Sequence, residues 1–210
     1  MKKITSLIIV FSMLVAMLAC FDVSTAFAAT SGNCGANFGG TNAKWSLNTS
    51  TGVLTISGKG ATKDCGNVGS NQAPWKDSRD KIKSIVVEEG ITALGRYMFY
   101  KCEVAESVSL PSTLTAIGDT KYLEYGTFVD CKALTNVTLP SKLQTIGHAA
   151  FKGCSSLKSI KIPDNVTTIG TSAFEDCTAL STVTFGTGVK VTGNMAFRNS
   201  GVSKVSFSST

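Results

Sequence analysis

Phe128, Phe151, Phe174 and Phe197 follow one another at a constant step of 23 residues. Cys131, Cys154 and Cys177 keep the same step three residues further on, and Ser200 fills the next place. Phe99 and Cys102 join the series across one insertion, because 29 residues rather than 23 separate Phe99 from Phe128. Gly95, Gly118, Gly147, Gly170 and Gly193 precede the phenylalanines, and Pro111, Pro140 and Pro163 follow short alternating stretches. A unit this short cannot enclose its own apolar residues. It buries them only by stacking on copies of itself, so the chain must build an array.

The cleanest unit runs Leu157-x-x-Ile160-x-Ile162-Pro163-x-x-Val166-x-x-Ile169-Gly170-x-x-x-Phe174-x-x-Cys177. Ile160 and Ile162 alternate with Ser159 and Lys161, the pattern of a short strand with one apolar side. Proline ends the strand, having no N–H to donate to a ladder. Glycine at a fixed phase predicts a positive-φ turn. Phe and Cys, three apart, predict a short helical or 3₁₀ turn with both side chains inward. The fold class that follows is an α/β repeat solenoid, a right-handed array of about five 23-residue rungs over residues 82–210.

The array frays at its ends. Glu88 stands where proline belongs in an opening half-rung, and Ala105 replaces the first leucine of rung one. Gly186 replaces a proline and Thr192 an isoleucine near the other end, degeneracy expected of a terminal rung; the alternative is that the natural chain continues past Thr210. After the inward Val205 and Phe207 only Ser208, Ser209 and Thr210 follow. An uncovered final rung predicts an end-to-end homodimer or docking on a partner. Before the array, Lys44–Leu47 and Val53–Ile56 flank Asn48-Thr49-Ser50-Thr51-Gly52 and read as a β-hairpin. Residues 29–81 are expected to form a β-rich cap over the first rung.

Residues 1–28 give an address. Lys2 and Lys3 precede an apolar run from Ile4 to Cys20, and Ala26-Phe27-Ala28 supplies small residues ahead of a cleavage point between Ala28 and Ala29. A signal peptide, export, and no transmembrane span after its removal are the expectation. Lipidation at Cys20 is the alternative. Export changes the meaning of the cysteines. Cys102, Cys131, Cys154 and Cys177 lie in the repeat and should be buried thiols, one per rung. Cys34 and Cys65 lie outside it and should form a disulfide that closes the cap.

Lys+Arg number 20 and Asp+Glu 14, a net charge of +6 without any basic cluster, so nucleic acid is not an expected partner. No nucleotide-binding loop, CxxC pair or HExxH motif occurs. No cofactor and no catalysis are expected. His148 occupies a slot filled elsewhere by Arg96, Asp119, Thr171 and Asn194, and reads as an exposed, unpaired histidine.

The repeat resembles the BspA-type, or Treponema pallidum-type, leucine-rich repeats of bacterial surface proteins, through the motif I-G-x-x-A-F-x-x-C-x-x-L-x-x-V-x-I-P at residues 146–163. The resemblance implies surface display and adhesion, with a protein or glycan partner at the cell exterior. The rival is a structural spacer without a specific ligand.

Two surfaces are candidates for contact. All four tyrosines, Tyr97, Tyr100, Tyr122 and Tyr125, fall in rung one and the six-residue insertion, where later rungs hold no tyrosine. They combine area with a polar tip, as binding anchors do; alternatively they pack on rung one to keep the insertion ordered. The outward strand positions, among them Asn136, Thr138, Lys161 and Thr184, form a weaker candidate, since a solvated sheet face explains them as well.

Overall fold

Alternation carries straight into burial. Leu54 and Ile56, Ile85 and Val87, and Ile160 and Ile162 are all buried, while Thr55, Val86 and Lys161 between them are not. The computed structural model describes residues 30–123 and 126–208. β1 (Ser31–Asn33), β2 (Ala43–Asn48) and β3 (Val53–Gly58) form the expected antiparallel hairpin plus one edge strand. β4 (Gly60–Ala61) follows, and then strands come in pairs. The pairs are β5 (Ser84–Val87) and β6 (Ile91–Leu94), β7 (Ser107–Ser109) and β8 (Ala116–Ile117), and β9 (Asn136–Val137) and β10 (Thr145–Ile146). β11 (Ser159–Lys161) pairs in sequence with β12 (Thr168–Ile169) and β13 (Thr182–Phe185) with β14 (Val191–Thr192), and β15 (Lys204–Phe207) ends the described chain.

First strands build one side of the solenoid, in the orders β1-β2-β3-β5-β7-β9 and β11-β13-β15. Second strands build another, β4-β6-β8-β10-β12-β14. Registers are parallel and follow the repeat, as in Ile85↔Val108 and Thr145↔Thr168. The hairpin is not a separate lid. β3 pairs in parallel with β5 and β4 with β6, so the cap supplies the solenoid with an extra rung.

Inside, the phenylalanines stack ring on ring. Centroids of Phe99, Phe128, Phe151, Phe174 and Phe197 are separated in turn by 4.9, 5.2, 5.4 and 5.1 Å. Trp75 continues the column at 5.9 Å from Phe99, and Trp45 meets Trp75 edge-on at 5.5 Å. Both tryptophans of the cap therefore seal the first rung.

Two expectations require correction. The arc carrying Phe and Cys is not helical, and no α-helix occurs among the described residues; three short 3₁₀ segments all precede Ile82. The "α" of the expected α/β class is therefore absent there. Residues four apart in the arc adopt positive φ instead: Ala149 at 50° and Gly153 at 73°, Ser172 at 57° and Asp176 at 59°, Met195 at 59° and Asn199 at 54°. That alternation turns amide groups along the solenoid axis. Phe151 N–H donates to Ala173 C=O at 2.8 Å and Phe174 N–H to Ala196 C=O at 2.7 Å, while alternate amides close turns within the arc, Lys152 N–H on Ala149 C=O at 3.1 Å and Cys154 N–H on Phe151 C=O at 3.2 Å.

The phase glycines also work differently from the expectation. Only Gly118, at 69°, has a positive φ; Gly95, Gly147, Gly170 and Gly193 do not. A Cβ on Gly170 would lie 2.4 Å from the His148 amide nitrogen, and one on Gly193 2.3 Å from that of Thr171. Glycine is required there by the close approach of neighbouring backbones.

Candidate functional site

The insertion leaves the second sheet after Gly118 and is tied down at once. Asp119 Oδ1 accepts the amide N–H groups of Lys121 and Tyr122, at 2.9 and 3.3 Å, an Asx-type turn. Its other oxygen lies 3.4 Å from Arg96 Nε, while Arg96 Nη2 reaches Asp64 Oδ2 at 2.9 Å. Arg96 thus links cap, rung one and insertion. The Tyr122 ring lies over this guanidinium, 4.1 Å from centroid to carbon, with the Lys121 ammonium 5.4 Å from the same ring. Tyr122 remains 41% exposed and Leu123 61%. On the far side the insertion closes through Thr127 Oγ1, which donates to Gly95 C=O at 3.1 Å.

The four tyrosines divide. Tyr97 is buried, with a φ of 52°, and meets Tyr100 edge-to-face at 5.0 Å. Tyr100 is half-buried against the core, between the Arg79 guanidinium and the Lys101 ammonium. Those two rings belong mainly to the packing of rung one. Tyr122 faces outward. Tyr125 lies outside the described residues, as do residues 1–28, Cys20, and the Ala28–Ala29 junction.

His148 is not unpaired. Its Nε2 meets Thr120 C=O at 2.8 Å and its Nδ1 the Thr171 amide at 2.7 Å, so it anchors the insertion to the following rungs. Reading its slot as a set of independent polar residues hid this; residues of equal phase are neighbours in space.

The repeat cysteines are buried and free. Cys131, Cys154 and Cys177 each donate Sγ–H to the carbonyl of the phenylalanine one rung back, Phe99, Phe128 and Phe151, at 3.2, 3.2 and 3.1 Å. Burial pushes the Cys102 and Cys177 thiols up to about 12, and holds those of Cys131 and Cys154 well above the ordinary value. Such thiols are hydrogen-bond donors, not nucleophiles. Cys34 and Cys65 are likewise buried and free. Burial and then the proximity of Cys65 raise Cys34 to about 12, and burial raises Cys65 to about 11. Their segments are joined by the Lys63 N–H to Cys34 C=O bond of 2.8 Å.

On the outer arc, Glu175 is buried between Lys152, at 2.9 Å, and Arg198. These three occupy the slot that Tyr100 holds in rung one. The weaker strand-face candidates are dispersed over three rungs. Asn136, Thr138 and Lys161 share the lining of a depression of about 500 Å³, whereas Thr184 lies apart and meets the Ser206 hydroxyl at 2.9 Å. At the far end Val205 is 52% and Phe207 76% exposed. Among the described residues, no helix is long and apolar enough to cross a membrane.

Stacked short repeats, two sides of parallel repeat strands and an aromatic column define a leucine-rich repeat solenoid. The repeats match the model of the BspA type Leucine rich repeat region in six copies, over residues 77–122 and 119–210, and the chain belongs to that family. It is similar to a leucine-rich repeat protein from Eubacterium ventriosum, at 28% identity and a TM-score of 0.54, over 76% of this chain and 45% of that one. A leucine rich cell surface protein from Faecalibacterium prausnitzii aligns at 20% identity and a TM-score of 0.52, over 80% of this chain and 50% of its own. A Treponema pallidum leucine-rich repeat protein aligns at 22% identity and 0.48, over 78% and 81%. The chain spans about half the length of the first two. No curated protein matches it.

Proposed function

We propose that this chain is an exported binding module, secreted or displayed at the cell surface, that contacts a protein or glycan through the insertion of rung two and performs no catalysis. The observation that carries the reading is Tyr122, exposed yet held flat over Arg96 by the Asp64–Arg96–Asp119 chain of ion pairs. An aromatic side chain fixed before contact loses little entropy on binding, which is what separates an anchor from a merely exposed ring. Leu123 beside it, 61% exposed, adds apolar area with no structural return. Family membership and the resemblance to a cell surface protein support the location.

The test is a glycan and protein array probed with the purified chain, then with Tyr122→Ser/Tyr125→Ser. Loss of partner capture with an unchanged melting temperature supports the reading. Capture intact with a large fall in melting temperature assigns the tyrosines to packing, and no capture by either chain favours the spacer.

A second copy of the chain is a further partner in this reading. Among the described residues β15 is an unpaired strand edge, and Val205, Phe207, Val191 and Met195 are exposed. End-to-end association through that rung would cover them.

A further inference from the structure

His148 sits at the corner where β10 of rung three passes into its arc, and both ring nitrogens are engaged. Nε2 lies 2.8 Å from the C=O of Thr120 in the insertion, and Nδ1 lies 2.7 Å from the amide nitrogen of Thr171 in rung four. The Thr171 N–H can only donate, so the Nδ1 lone pair accepts it and the ring carries its proton on Nε2. A second proton has one place to go, and it is that same lone pair. Proton and amide therefore exclude each other. In the imidazolium an Nδ1–H would point at the Thr171 N–H, two donors with no acceptor between them. The ring is only partly buried, whereas Gly147, Ala149 and Ala150 around it are buried. It can swing into water and leave the backbone of rung three in place.

Among the described residues, no uncommitted carboxylate stands by to hold the imidazolium in place. On the rung-two side Asp119 accepts the His148 N–H with its backbone C=O at 2.8 Å. Its carboxylate is already taken, by the Lys121 and Tyr122 amides through Oδ1 and by Arg96 through Oδ2. The Lys121 ammonium lies over the Tyr122 ring and disfavours a second cation nearby. On the rung-four side Gly170 and Thr171 do not titrate. Glu124 and Tyr125 of the insertion lie outside the described residues. His148 is also the single histidine of the chain. Imidazole ordinarily changes charge between about pH 5 and 8, carboxylates near 4, and the buried thiols lie above that range.

We propose that His148 is a pH-operated latch on the insertion, closed while Nδ1 holds the Thr171 amide and opened when acid places a proton there. The closed state lacks the proton that the open state carries, so acidification favours opening. With the latch open, Thr120 loses its tie to the ring and Tyr122 loses part of the fixed pose that suits it to contact. As a regulator of binding, the latch rests on the reading of the insertion as the contact surface.

NMR of the ¹⁵N-labelled chain tests it at about pH 7.5 and about pH 5.5, one unit to either side of the ordinary imidazole value. At the higher pH the ring ¹⁵N shifts should show a protonated Nε2 and a bare Nδ1. Amide protection factors, which remove the intrinsic pH dependence of exchange, should fall about tenfold at Thr171 from the higher pH to the lower, with a fall at Lys121 and Tyr122 as well. Phe151 and Phe174, whose amides bond to the next rung, should keep theirs. His148→Gln offers Thr171 an acceptor and Thr120 a donor without titrating, and should make protection at all three residues independent of pH. His148→Ala should lower it at both values. An Nδ1–H tautomer at the higher pH, protection at Thr171 or Lys121 indifferent to pH, or the same pH response in His148→Gln overturns the latch. No exchange response with array capture intact removes the latch and keeps the binding module; a response without capture keeps the latch and removes the binding module.

Discussion

The imidazole Nδ1 of His148 accepts the backbone N–H of Thr171 at 2.7 Å. A backbone amide only donates, so Nδ1 is the unprotonated nitrogen and Nε2–H donates to Thr120 C=O. One ring thus joins three successive rungs and holds the first residues of the insertion. Replacing His148 with Ala should cost about 1–2 kcal/mol and accelerate amide exchange at Lys121 and Tyr122 while leaving that of Phe174 unchanged. Unaltered exchange at the insertion would show that its Asx turn alone suffices.

The buried thiols set an alkaline limit on stability. Cys102 and Cys177 ionise near 12 in the folded chain, against about 8.5 when unfolded. A raised folded value means that the stabilisation is complete below about pH 8.5 and is lost as pH rises toward 12. The urea midpoint should therefore be flat from pH 7 to 8 and fall steadily above 9. Cys177→Ala should flatten that fall while lowering the plateau, since it leaves a small void and leaves the Phe151 carbonyl with the Cys154 amide alone.

Cys34 and Cys65 belong to segments joined by the Lys63 N–H to Cys34 C=O bond. After passage through an oxidising compartment the chain should carry one disulfide between them and four thiols that alkylate only on unfolding. Peptide mapping after alkylation in denaturant decides the matter: six labelled cysteines would remove the bond, and a bond involving any repeat cysteine would contradict the ladder.

Glu175 titrates against its neighbours. Burial pushes its carboxyl up, but hydrogen bonds from Ser172 and Lys152 and the charges of Lys152 and Arg198 outweigh burial and hold it below the ordinary value. A depressed folded value gives stabilisation that is present above the unfolded value of about 4.3 and is lost as pH falls through the folded one. Lys152 and Arg198 keep much of their water, so Glu175→Ala should cost about 1–2 kcal/mol at pH 7, below the figure for a fully buried pair. The difference from the unaltered chain should shrink in thermal melts at pH 3.

Association through the last rung has a simple readout. Light scattering at ~100 μM, where even weak self-association registers, should give the mass of a dimer, and Phe207→Asp should return it to the monomer. A monomer for the unaltered chain at that concentration ends the proposal.

Much of this architecture was legible in the 23-residue step. It placed Ile160, Phe174 and Cys177 inside, Ser159 and Lys161 outside, and the strands in parallel register, because equivalent residues of a stacked array must superpose. What it could not give is anything that depends on how closely two copies approach. Gly170 is glycine because the His148 amide lies against it, and the arcs adopt positive φ because their amides serve the next rung. Arg96, Asp119, His148 and Thr171 looked like free variation at one tolerant slot. Stacked, they become an ion pair and a hydrogen bond. The parting between β9 and β11 has no counterpart in the motif at all, since Asn136-Val137-Thr138 and Ser159-Ile160-Lys161 both satisfy it.

The two ends of the aromatic column are unequal, and that inequality gives the molecule a mechanical polarity. Trp45 and Trp75 close one end beneath an antiparallel hairpin, whereas Phe197 lies in a last rung whose outer edge pairs with nothing among the described residues. Each rung touches only its neighbours, so tension applied through the C-terminal side meets one interface at a time. The chain should yield as a peeling tape, releasing about 75–80 Å of extended polypeptide with each 23-residue rung. Pulled from there, it would extend in small steps of similar force, with the hairpin last to give way.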